Sequence, residues 1–89
     1  MKATIPNVDD DTDALTVTGK SLQYASFKVH VFTDPIMALQ HVQKGCKYCQ
    51  ILISDIRMPA LTGFQLVRRV KDLRPDMIVI MMTMFEVNK

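Results

Sequence analysis

The segment I-L-I-S-D-I-R-M-P, residues 51–59, joins an unbroken apolar run, Ile51 to Ile53, to a carboxylate, Asp55, and then to Pro59, with Gly63 four positions further on. A strand apolar on both faces belongs inside a parallel sheet covered by helices, so this run predicts an interior strand with a polar group at its carboxyl end. A second such run, Met77 to Met82, follows. Between the two, Thr62 and Gln65 have capping-box spacing, Leu66, Val70 and Leu73 line one helical face, and Arg74 and Pro75 end the helix. Strand, helix and strand in this order make a right-handed crossover of a parallel sheet.

Upstream, the pattern repeats. Phe27, Val29 and Val31 alternate with Lys28 and His30, the period of a half-exposed strand at a sheet edge, so His30 is read as an outward edge residue rather than a ligand. Asp34 and Pro35 supply an N-cap and first residue for a short helix that runs through Lys44 and stops at Gly45. Ala3 to Val8 reads as a first strand, although Pro6 removes one ladder donor. Thr12 to Ala25 carries Leu15, Leu22 and Ala25 at helical spacing behind a run of acids; Gly19 and the threonines weaken it. The predicted order is βαβαβαβ, an open parallel α/β sheet with helices on both faces.

At 89 residues the chain is long enough for one domain. Its 48% apolar and 22% charged content is that of a globular protein. No apolar run approaches the roughly 20 residues that span a bilayer, and Met1 to Asp10 lacks a signal-peptide core, which predicts a cytoplasmic protein with no membrane partner. A net charge of +2 is too weak to imply nucleic acid, and the cluster Arg68, Arg69, Lys71 reads as a solvated helix face. Cys46 and Cys49 form a C-x-x-C pair to which His41 adds a third donor, but the sequence shows no fourth, so two reduced cysteines in a loop are expected.

Polar groups stand at the carboxyl ends of three predicted strands: Asp9 and Asp10 after the first, Asp55 after the third, Thr83 after the fourth. Open α/β sheets bind ligands there. Three carboxylates held close raise one another's pKa unless a cation sits among them, and Mg²⁺, which takes oxygen ligands and keeps room for water and phosphate, suits the set. A carboxylate beside such an ion can attack phosphorus to form an acyl phosphate, with the Thr83 hydroxyl donating to a phosphoryl oxygen.

V-D-D-D at residues 8–11, I-S-D-I-R-M-P at residues 53–59, Gly63, and the apolar run ending at Thr83 together resemble the receiver domains of two-component response regulators. The resemblance implies a flavodoxin-like sheet of order 2-1-3-4-5. It implies Asp55 as phosphoacceptor, Asp9 and Asp10 as the pair that holds Mg²⁺ with Asp10 the direct ligand, a backbone carbonyl from Arg57 on the same metal, and Thr83 as the switch hydroxyl. Met84, where the family usually has a small residue, is expected to crowd Asp55. A signalling domain rather than an enzyme follows, fed by a histidine kinase or phosphotransfer protein.

The family's fourth helix, fifth strand with its lysine, and last helix have no counterpart here, since Lys89 stands too soon after Thr83 for a fifth strand. Residues 1–89 are therefore expected to be a partial receiver whose fourth strand has a bare edge that pairs with a second copy. The alternatives are a receiver-derived interaction module that is not phosphorylated, and a Mg²⁺-dependent phosphohydrolase of the haloacid-dehalogenase type. The latter wants D-x-D-x-[TV] after the first strand, which neither register of Asp9, Asp11 and Asp13 provides. An EF-hand loop fails as well, because Ala14 and Lys20 stand where glycine and glutamate are needed.

Overall fold

The computed structural model describes residues 4–45, 49–58 and 61–82. The elements are β1 (Thr4–Val8), α1 (Thr12–Tyr24), β2 (Lys28–Phe32), α2 (Pro35–Gln43), β3 (Ile51–Asp55), α3 (Gly63–Leu73) and β4 (Ile78–Met82). All strand pairs are parallel, and the sheet runs β2-β1-β3-β4. This is the flavodoxin-like arrangement, with the reversal of strand order at β1 and β3.

Each helix starts where its cap is encoded. Asp11 accepts from the Asp13 and Ala14 amides to open α1, Asp34 accepts from Ile36 with Pro35 behind it, and Thr62 and Gln65 form a reciprocal capping box. The end of α1 lacks a glycine, and Ser26 instead takes the left-handed conformation (φ 72°), with Phe27 N–H donating to the Leu22 carbonyl. Lys71 is not simply a solvated face residue. Its ammonium donates to the Met77 carbonyl and closes the turn from α3 into β4.

The main core lies on the face covered by α2 and α3. Val8, Leu52 and Cys49 from the sheet meet Ala38, Leu39 and Val42 of α2 and Leu66 and Val70 of α3, with Met58, Leu61 and Met77 closing the ends. The opposite face is covered by α1, through Leu15 and the small Gly19 against Val31. β3 is interior as expected, and β4 is an edge strand among the described residues. On β4, Val79 packs on the core, whereas Ile78 is 57% and Ile80 45% exposed.

Pro6 does not exclude β1 from the middle of the sheet. Its ladder with β2 is unbroken from Thr4↔Lys28 to Val8↔Phe32. Toward β3, however, the pairing jumps from the bridge Thr4↔Cys49 to Asn7↔Ile53, so three steps along β1 face four along the neighbouring segment. The extra residue is a bulge-like slip beside Pro6, where a missing N–H donor costs no ladder bond.

The expectation of reduced cysteines is corrected. Cys49 is in a disulfide; Cys46, the chain's other cysteine, lies outside the described residues.

Asn7 is 1% exposed, and neither its amide nitrogen nor its oxygen has a hydrogen-bond partner among the described residues. A buried unpaired polar group costs about 1–3 kcal/mol. Asn7→Val, which keeps a small side chain and suits a strand, is therefore expected to raise stability by about that amount, read as a higher denaturant midpoint at unchanged slope. A lower midpoint would show that the amide has a partner worth keeping.

Candidate functional site

The reversal point of the sheet gathers the acids. β1 ends at Val8 and hands the chain to Asp9, whose amide still donates to the Phe32 carbonyl at 3.1 Å and so remains fixed to β2. Asp9 is buried, and its Oδ1 accepts the Asp11 amide at 2.9 Å, which orients the carboxylate. Asp10 is exposed beside it. Asp11 is committed elsewhere, as the cap of α1. The local turn thus separates two acids aimed at the site from one that holds the helix, a distinction the run Asp9-Asp10-Asp11 does not show by itself.

Asp55 closes β3, half-buried, opposite Met82 in register. The backbone after it is held from two sides: Ile56 N–H donates to the Met82 carbonyl at 3.0 Å, and its own carbonyl accepts from Gly63 N–H at 2.8 Å. Gly63 sits so close that a Cβ there would stand 2.8 Å from Ile56 Cα and press on the Asp55 carbonyl. The glycine is what lets the start of α3 approach the backbone of the acid-bearing turn.

Carboxylate oxygens of Asp9, Asp10 and Asp55 lie within 4.8 Å of one another, the one such trio of potential metal-ligating residues among the described residues. Burial holds the Asp9 carboxyl above the usual carboxylate range. The Asp11 N–H partly offsets this, and the negative charges of Asp55, Asp10 and Asp11 add to it. Such a group carries its negative charge at a cost, and a cation among the three relieves it. The donor set is all oxygen, which fits a hard divalent ion.

Two clefts flank the trio. One, of about 540 Å³, is lined by Asp10, Ile56, Arg57, Met58, Thr62 and Phe64. The other, of about 360 Å³, is bounded by Asp9, Asp55, Asp11, Asp13, Thr18 and the apolar Ala14, Val17 and Met82. Arg57 is exposed at the first. Phe64, 64% exposed there, escaped the sequence reading; its signal is an aromatic lying off the Leu66–Val70 stripe of α3. Thr83 and Met84 lie outside the described residues.

The family description of the response regulator receiver domain matches residues 5–89. The chain belongs to this family. Receiver domains are signalling domains of two-component systems, and this chain is similar over 76 residues, at 36% identity, to the C4-dicarboxylate transport transcriptional regulatory protein DctD of Rhizobium meliloti, covering 85% of the chain and 16% of DctD. It is 30% identical over 77 residues to the response regulator receiver protein CpdR of Brucella abortus, covering 86% of the chain and 62% of CpdR. The chain thus spans under two thirds of these relatives. Among solved structures, the receiver domain protein from Clostridium thermocellum superposes with a TM-score of 0.86 at 27% identity, over 91% of this chain and 64% of the other. The chemotaxis protein CheY4 of Vibrio cholerae gives 0.83 at 29% identity, over 91% and 68%. No helix among the described residues of this receiver is long and apolar enough to cross a membrane.

Proposed function

We propose that residues 1–89 act as one receiver unit of a two-component phosphorelay, taking a phosphoryl group on Asp55. The observation that carries this reading is the trio Asp9, Asp10 and Asp55 at the strand-order reversal, with ligand atoms within 4.8 Å of one another. Asp10 and Asp9, Asp55 itself and the backbone carbonyl of Arg57 would hold the metal, and Mg²⁺, when bound, would offset charge on the transferring group. An Asp55 carboxylate oxygen bonds to phosphorus as the donor's bond to phosphorus breaks, leaving an acyl phosphate on Asp55. Buried, oriented Asp9 and exposed Asp10 keep the nucleophile beside positive charge. Thr83 supplies the hydroxyl that turns toward the new phosphoryl oxygens. The donor is a histidine kinase or phosphotransfer protein, and the setting is cytoplasmic. The edge of β4 that pairs with no other strand among the described residues, carrying exposed Ile78 and Ile80, supports self-association of this unit.

Intact-mass measurement after incubation with Mg²⁺ and a small phosphodonor tests the reading. One phosphoryl group is expected on the parent chain and none on Asp55→Asn; a gain that persists in the variant overturns the assignment. The metal has its own test. Titration calorimetry is expected to show weak Mg²⁺ binding that Asp10→Ala abolishes, and equal affinity in the two proteins would remove Asp10 from the ligand set.

A further inference from the structure

Where α2 crosses the edge strand β2, two imidazoles meet. His30 of β2 and His41 of α2 have ring centroids 5.1 Å apart, with their planes tilted by 46°. Phe32, two residues along β2, places its ring centroid 5.3 Å from that of His41, and His41 Nε2 stands 3.4 Å from Cys49 Sγ. His30 is in register with Pro6, three residues before Asp9, so the pair lies about 10 Å along the sheet from the acidic trio. α2 has only nine residues. A helix that short has little stability of its own, so its contacts with the sheet decide whether it stays docked.

The charges that bear on this pair are of one sign. His41 is half-buried and His30 exposed. On β2, Lys28 shares the face of His30, and β1 sets the uncharged Thr4 and Pro6 beside them. α2 itself adds Lys44 three residues after His41, while Asp34 at its other end is committed to the Ile36 amide. α3 contributes Leu66 and Val70 to the core it shares with α2; its Arg68, Arg69, Lys71 and Asp72 are exposed. Arg74, at the end of α3, donates to the Cys49 carbonyl at 3.3 Å and pairs with Asp76 at 3.5 Å. The charges acting on His41 are those of His30 and Lys44. On its inner side the ring meets a disulfide sulfur, only a weak acceptor.

We propose that His30 and His41 form an acid-sensitive clasp between β2 and α2. While one ring is neutral the two pack together, and α2 stays on the edge strand. When both carry a proton, like charges 5.1 Å apart repel with no anion between them, and α2 loosens from the sheet. Burial first, then the charges of His30 and Lys44, hold the His41 pKa below its ordinary value. The unfolded chain thus takes up a proton at a pH where the folded chain does not. Stability present above about pH 6.5 is therefore lost as the pH falls toward the folded pKa.

Proton NMR of the full chain, its disulfide intact, follows the imidazole signals from about pH 8 to about pH 5. Position 30 is exposed, so its charge can be changed without entering the core. The His41 titration midpoint is expected to rise from the parent to His30→Gln, which removes the like charge, and again to His30→Glu, which reverses it. A role for His30 in shape alone would not produce that order. Amide exchange, corrected for its intrinsic pH dependence, reads the loosening itself. Between about pH 7.5 and about pH 5, α2 amides of the parent are expected to lose protection by on the order of fivefold more than those of α3, an excess that His30→Gln abolishes. Asp9, whose carboxyl is also shifted, is common to all three proteins and cancels from their differences. One His41 midpoint shared by all three proteins, or equal loss of protection in α2 and α3 of the parent, overturns the proposal.

Discussion

Gly63→Ala is expected to lower the thermal midpoint by about 5–20 °C, a large change for one methyl group. Helix propensity alone points the other way, since alanine is favoured over glycine in a helix by about 1 kcal/mol. The local geometry decides the sign. The added Cβ meets Ile56 Cα at 2.8 Å and the Asp55 carbonyl, and these are backbone atoms that cannot swing aside as the nearby Met81 methyl can. Moving α3 outward would relieve the clash at the expense of the 2.8 Å bond from Gly63 N–H to the Ile56 carbonyl and the burial of Leu66 and Val70. Overpacking of this kind costs about 1–3 kcal/mol, and a domain of this size loses about 4–8 °C per kcal/mol. Because the same contact positions the backbone of Asp55, phosphoryl uptake is expected to fall together with stability. Calorimetric scanning settles it: a variant as stable as its parent shows that α3 does not abut the turn.

Ile80→Lys is expected to leave the receiver folded and to weaken the proposed self-association, and Val79→Lys to unfold it. The two positions are adjacent on the edge strand, yet their faces differ. Val79 packs against the cluster of Leu52, Leu66 and Val70, where an unpaired ammonium has no partner and several kcal/mol are lost. Ile78 and Ile80 point away from that core and form an exposed apolar pair beside an edge that no other described strand pairs, the feature that strand pairing between chains exploits. A lysine at 80 adds charge to the edge without entering the core. Sedimentation at micromolar concentration, read beside circular dichroism, separates the cases. A parent that sediments as a well-folded monomer defeats the association reading; equal loss of structure in both variants defeats the assignment of faces.

How much of this was legible in the chain follows from what each signal encodes. Caps are local: Asp11, Asp34 and Thr62 sit where the helix N-termini form, because the bonds they make reach only two or three residues ahead. The apolar run at Ile51–Ile53 announces an interior strand for the same reason, that burial on both faces is written into consecutive residues. Asp9, Asp10 and Asp55 converge because strand ends in a parallel sheet lie on one side, so their meeting could be read from order alone.

Other features have no local code. Lys71 read as part of a solvated cluster, but its reach to the Met77 carbonyl depends on how α3 turns back to β4. The slip beside Pro6 shows only when β1 is laid against its neighbour, and the burial of the Asn7 amide without a partner among the described residues shows only once β1 is packed in the sheet. His30 reads as an outward residue of an edge strand, and it is exposed; that its ring meets His41 depends on where α2 crosses β2. The sequence by itself determined the parallel α/β order, the helix starts and the three acids of the site, since each depends on periodicity, capping or the direction of a strand. Tertiary structure alone decided which face of β4 packs on the core and that Gly63 must be glycine, because these depend on distances between segments far apart in the chain.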